Sequence, residues 1–204
     1  MAYSGGSRPF RQDGRDSTNR GSTPDSPRDP TREPAADLEA VARQICLAQL
    51  EYAPRTRAEL AGTLARRGVD DATAEAVLIR FTEVGLIDDA LFAQLWVSSR
   101  HRSKGLAGRA LSQELRRKGV DDEVARAAVG ELEPEVELAT ARDLVQRRLP
   151  TSRGQTTEAR LRRLAGMLAR KGYPAGLAFR VVKEALAAEG EDLVLDTDGL
   201  AALE

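Results

Sequence analysis

Three times along this chain of 204 residues the same phrase returns. Leu60-Ala-Gly-Thr-Leu64-Ala-Arg-Arg-Gly68-Val-Asp70 is followed by Leu111-Ser-Gln-Glu-Leu115-Arg-Arg-Lys-Gly119-Val-Asp121, and then by Leu164-Ala-Gly-Met-Leu168-Ala-Arg-Lys-Gly172-Tyr-Pro174. The glycines lie 51 and 53 residues apart (119 − 68 and 172 − 119). Self-similarity at such a period marks a repeat architecture, in which each copy is one supersecondary unit and neighbouring copies share a core.

Each copy spells the end of one helix and the start of the next. Two leucines four residues apart share a helical face, basic residues occupy the last turn where the macrodipole favours cations, and a glycine stops the helix. Asp70 or Asp71, and Asp121 or Asp122, can cap the helix that follows, while Pro174 suits the first position of the third. Ala74, Val77 and Leu78, then Ala125, Ala128 and Val129, then Ala178, Val181 and Val182 continue the match as a buried face. A further amphipathic stretch precedes each phrase, carried by Leu38, Val41, Ile45 and Ala48, by Phe92, Leu95, Trp96 and Ser99, and by Val136, Ala141, Leu144 and Val145. Thr56-Arg-Ala-Glu59 reads as a capping box, and Asp88 can cap the helix that opens the second unit.

The pattern predicts an all-α fold of three tandem three-helix repeats at 37–86, 87–133 and 134–189, elongated and open to curvature. With only 4% aromatic and 31% charged residues, the composition also favours amphipathic helices over β-sandwiches. Residues 1–36 are rich in Arg, Ser, Pro and Gly and are expected to form a disordered arm; 190–204 are expected to form an acidic tail without a basic residue. The longer connection Pro150–Thr157 has the composition of a flexible loop. A single cysteine, Cys46, precludes an internal disulfide and fits a small buried hydrophobe in a cytoplasmic protein. No stretch approaches the roughly 20 apolar residues that a membrane span needs.

No catalytic constellation emerges, and neither metal nor cofactor is expected. His101 is the only histidine and reads as an exposed helix-end residue. The paired acids Asp70-Asp71, Asp88-Asp89 and Asp121-Asp122 read as caps rather than metal ligands. Phe92, Leu95 and Trp96 are expected in the core of the second unit.

The charges are more informative. Residues 100–118 hold Arg100, Arg102, Lys104, Arg109, Arg116, Arg117 and Lys118 against the single acid Glu114. Residues 147–171 hold Arg147, Arg148, Arg153, Arg160, Arg162, Arg163, Arg170 and Lys171 against Glu158, and between the two windows 121–137 hold seven acids against Arg126. Any one of these cations reads as a solvated residue near a helix end, but the clusters are dense enough to engage phosphates or an acidic protein surface. Few aromatics lie among them to stack bases, which argues against sequence-specific reading of single strands.

Gly85-Leu-Ile-Asp-Asp89-Ala-Leu-Phe92-Ala93, Arg100-His-Arg-Ser-Lys-Gly105 and Ala110-Leu111-Ser-Gln-Glu-Leu115-Arg-Arg-Lys-Gly119-Val120 together resemble the signature of the RecX family. The resemblance covers residues 38–187 and is strongest in the central unit. It implies a modular, all-helical, non-enzymatic cytoplasmic protein that binds the RecA nucleoprotein filament in its groove and inhibits RecA's ATP hydrolysis, strand exchange and co-protease function. It supplies no role for the arm or the tail. The partners expected are the RecA filament and, through phosphates, single- or double-stranded DNA, with the protein acting as a monomer. The candidate contact residues are Arg100, Arg102, Lys104, Arg109, Arg116, Arg117, Lys118, Arg160, Arg162, Arg163, Arg170 and Lys171. Two other classes stay open on the residues alone: a helix-turn-helix DNA-binding protein built on Thr56–Asp89, against which the repeat argues, and a helical scaffold for another partner.

Overall fold

The computed structural model describes residues 34–190, and all regular structure among them is helical. The expected arm and tail lie outside the described residues, apart from 34–36, which open the first helix, and Gly190. In chain order the helices are α1 (Pro34–Tyr52), α2 (Arg57–Arg66), α3 (Asp71–Glu83), α4 (Asp89–Lys104), α5 (Gly108–Arg117), α6 (Asp122–Gly130), α7 (Pro134–Arg148), α8 (Thr157–Arg170) and α9 (Ala175–Ala187). They form three successive triplets, in each of which the first and third helices pack together and the middle helix packs on the third.

The caps follow the sequence closely. Thr56 and Glu59 form a reciprocal capping box at α2, and Asp70, Asp88 and Asp121 cap α3, α4 and α6 by accepting backbone N–H groups. Pro174 differs by one position: it is the N-cap of α9, and the helix begins at Ala175.

Three apolar clusters follow the three helix triplets, the first also taking in Ile87 and the third Ala107. Leu60 and Leu64 close the first with Ala42, Cys46, Val77 and Phe81; Leu111 and Leu115 the second with Phe92 and Val97; Leu164 and Leu168 the third with Val145, Tyr173 and Val182. Burying such a leucine contributes about 1.5–3 kcal/mol.

Several buried faces differ from the sequence-based expectation. Leu38 and Val41 are 47% and 53% exposed, and α1 instead turns Ala42 and Cys46 inward. Apolar residues surround so much of this helix that periodicity leaves its orientation ambiguous. Leu95 is 56% exposed for a similar reason: Phe92, Ala93 and Val97 already fill the inward face of α4. Val136 points outward as well.

The connection at Pro150–Thr157 is built rather than loose. Leu149–Ser152 form a 3-10 turn whose two end residues are buried, and Arg160 Nε donates to Ser152 Oγ at 3.1 Å. His101 also departs from expectation. It is 6% exposed, its Nδ1 donates to the Leu106 carbonyl oxygen at 2.8 Å, and Nε2 lies 2.9 Å from Thr140 Oγ1 on α7.

Candidate basic interface

The units meet through a contact that the chain makes twice. Thr56 at the N-terminus of α2 is fully buried because its hydroxyl donates to the carbonyl oxygen of Lys118 (2.6 Å), just past the C-terminus of α5. One unit on, Ala107 at the N-terminus of α5 donates its N–H to the carbonyl oxygen of Lys171 (2.8 Å), just past the C-terminus of α8. The glycine that follows each carbonyl has positive φ and lets the neighbouring unit approach. A Cβ on Gly119 would stand 2.2 Å from Ala58 Cβ, and one on Gly172 would stand 2.5 Å from the Ala110 nitrogen. Gly68, at the same repeat position in the first unit, has nothing within 4 Å of such an atom.

Further polar contacts brace both junctions. Lys118 Nζ donates to Glu59 Oε1 at 2.7 Å, and the Arg57 N–H donates to Asp89 Oδ1 at 2.9 Å. Burial pushes the Glu59 carboxyl up, but the hydrogen bonds from Lys118 and the Thr56 N–H and the charges of Lys118 and Arg55 outweigh it, so its pKa is lowered. Asp89 goes the other way, raised by burial despite the Arg57 N–H. At the second junction Lys171 Nζ donates to the Lys104 carbonyl oxygen (2.5 Å), and Gly108 N–H donates to Glu137 Oε1 (2.9 Å).

These junctions carry grooves lined by arginine. The first, of about 540 Å³, runs between α2 and α5 and includes Arg55, Arg66, Arg116, Arg117 and Lys118. The second, of about 160 Å³, lies between α5 and α8 and includes Arg109, Gln113 and Arg170. A third, of about 240 Å³, adjoins it on the third unit, with Arg148, Arg163 and again Arg170. The middle helix α5 links the first two, with Arg109 and Gln113 toward one end and Arg116 and Arg117 toward the other. Lys171 stands beside this cluster with its pKa lowered by burial and by the like charges of Arg147, Arg148 and Lys104.

The twelve cations singled out from the sequence divide into distinct groups. Arg109, Arg117, Arg162, Arg163 and Arg170 are exposed or partly exposed and make no ion pair among the described residues. Arg102 is exposed and donates to Ser98 Oγ, and Lys104 lends its carbonyl to the junction. Arg116 is paired with Asp122 at 2.6 Å. Arg100 is paired with Glu114 at 3.3 Å and lies over the Trp96 ring; Lys118 covers that ring from 4.4 Å while it holds Glu59. Arg160 is a correction: it is 3% exposed, bonded to Ser152 and ion-paired with Glu189, so its charge is sealed inside the third unit. Arg55 and Arg66 line the first groove without having been singled out by the sequence. The repeat held a signal for Arg66, since Arg66, Arg117 and Arg170 each stand two residues before the helix-stopping glycine.

Tandem three-helix units, locked through a repeated helix-end contact and lined with arginine where they meet, define an all-helical repeat protein with a cationic band along its junctions. Three family models match in sequence: "RecX, first three-helix domain" at residues 42–81, the second at 88–129 and the third at 135–182. Regulatory protein RecX of Thermobifida fusca is 59% identical over 157 residues, covering 77% of this chain and 85% of that one. That of Streptomyces lividans is 52% identical over 179 residues, covering 88% and 91%. The crystal structure of RecX from Lactobacillus salivarius shares the fold with a TM-score of 0.69 at 18% identity, over 73% of this chain and 97% of that one. The chain belongs to the RecX family.

Proposed function

We propose that this protein regulates RecA recombinase by binding the RecA nucleoprotein filament and inhibiting its ATP hydrolysis, strand exchange and co-protease activity. The observation that carries this reading is the arginine-lined band along the unit junctions of a RecX-family chain, whose curated relatives are named regulatory proteins. Cations spaced over several units can reach more than one protomer of a filament, so that assembly and turnover are hindered together. The ligand is an acidic RecA surface, the phosphates of the filament's DNA, or both. The protein acts without a cofactor, as a cytoplasmic monomer and not as an enzyme.

The test is the single-strand-dependent ATPase rate of the same organism's RecA, with this protein added at rising substoichiometric amounts. Suppression at ratios well below one per RecA is expected, and the triple variant Arg109→Glu, Arg117→Glu, Arg163→Glu should lose it while remaining folded. Lys118 is left intact because it holds the first junction. An ATPase rate that the wild-type protein leaves unchanged would reject the regulator reading.

A further inference from the structure

We infer that the groove between α2 and α5 is a phosphate site for a nucleic-acid strand, and that occupying it ties the first three-helix unit to the second. Arg55 points to it first. Its Nε is buried and has no hydrogen-bond partner among the described residues, and the residue lines an open groove that is more polar than apolar. A guanidinium N–H withdrawn from water and left unpaired costs free energy, and turning the partly exposed Arg55 guanidinium toward an oxyanion in the groove removes that cost.

The neighbouring charges leave room for such a guest. Glu59 is the one acid on the groove wall, and it is already engaged by Lys118 and the Thr56 N–H. Arg116 is held by Asp122 and Arg66 bonds to the Thr63 hydroxyl, whereas Arg55 and Arg117 make no ion pair among the described residues. Ala58, Gly62 and Gly119 also line the groove, and residues this small leave room for a phosphate beside the guanidinium groups.

The repeat selects a strand over an acidic protein patch. An arginine stands two residues before the glycine in every unit, and Arg109 continues the series along α5, about 12 Å from Arg117 at the helical rise. Cations that recur with the fold match a ligand whose charge also recurs. The carboxylates of one folded protomer have no such period and those of a filament recur only from protomer to protomer, whereas a strand presents a phosphate at every nucleotide. No aromatic side chain lines the groove, so the strand is held through its backbone without base stacking, and binding depends steeply on salt. Neighbouring phosphates of one strand, held by Arg55 from the first unit and Arg117 from the second, bridge the junction beside Lys118, which covers the chain's single tryptophan, Trp96.

This deepens the reading above, in which a filament's DNA would supply the strand, but it is tested without RecA so that the two can fail separately. The full-length protein is titrated against a fluorescent oligothymidylate of about 20 nucleotides over a range of salt, with Trp96 emission followed in parallel. Each arginine that neutralises a phosphate of a single strand contributes about 0.7 to the salt slope, so Arg55→Gln with Arg117→Gln should lower it by about 1.4 and weaken binding at least tenfold. Arg117→Gln alone, at an exposed position, should take about half of that slope and guards against misfolding at Arg55. Arg43→Gln on α1, outside the groove, should change neither. Trp96 emission should shift on saturation in the wild type and not in the double variant. A folded Arg117→Gln protein with an unaltered slope would overturn the site. Polyglutamate that binds as tightly as the oligonucleotide would overturn the choice of a nucleic-acid strand, and unmoved Trp96 emission at saturation would overturn the tie between units.

Discussion

At the scale of single residues, the three glycines show how one sequence role acquires two structural ones. Gly68, Gly119 and Gly172 all have φ between 75° and 91°, where a side chain is strained whatever the surroundings. At Gly68 that is the whole cost, and Gly68→Ala should destabilise by about 1 kcal/mol. At Gly119 the added methyl also collides with Ala58, so Gly119→Ala should cost roughly 2–4 kcal/mol. Thermal melts of the two variants check the difference, and equal losses would mean that the close approach of the units contributes nothing. The backbone role was legible in the sequence as a helix stop followed by a cap. The second role was not, because the partner atom belongs to a residue about 60 positions earlier.

At the scale of helices, α8 departs from its counterparts by an extra N-terminal turn. Its cap Thr156 stands eight residues before Leu164, whereas Thr56 and Ala107 stand four before Leu60 and Leu111. Arg160 thereby takes the repeat position that Thr56 and Ala107 use for docking, and it is bonded instead to Ser152 and Glu189 of its own unit. The sequence window counted it with its neighbours, since an arginine reads alike on either face of a helix. Its burial predicts that Arg160→Gln lowers the melting temperature and leaves RecA-filament affinity per folded molecule unchanged. Arg163→Gln, on an exposed position of the same helix, should do the reverse. Differential scanning fluorimetry beside filament pull-down separates the two, and a filament defect in a fully folded Arg160→Gln protein would contradict the assignment.

At the scale of the whole molecule, the junctions bind the units into one body, and the first of them should be sensitive to acid. The Glu59 carboxyl titrates below its ordinary value of 4.5 because it is paired in the folded state. Its stabilising contribution is therefore present above about pH 4.5 and lost as pH falls through the lower folded value. Asp89 at the same junction acts in the opposite sense, since burial raises its pKa and protonation relieves that cost. Trp96 emission should change on acidification as Lys118 loses Glu59, and Glu59→Gln should abolish that step. An identical emission profile in the variant would mean that the pair does not hold the junction.

Helix content, the order of caps and stops, the three-unit plan and the density of cations followed from the sequence alone, because propensity, capping and the 3.6-residue period act over a few neighbouring residues. The tertiary structure decided which face of α1 turns inward, that His101 and Arg160 are buried, and that Arg55 and Arg66 share a groove with Arg117. Those outcomes depend on which unit packs against which, and the contacts that set them span some 30 to 60 residues of chain, beyond the reach of any local pattern.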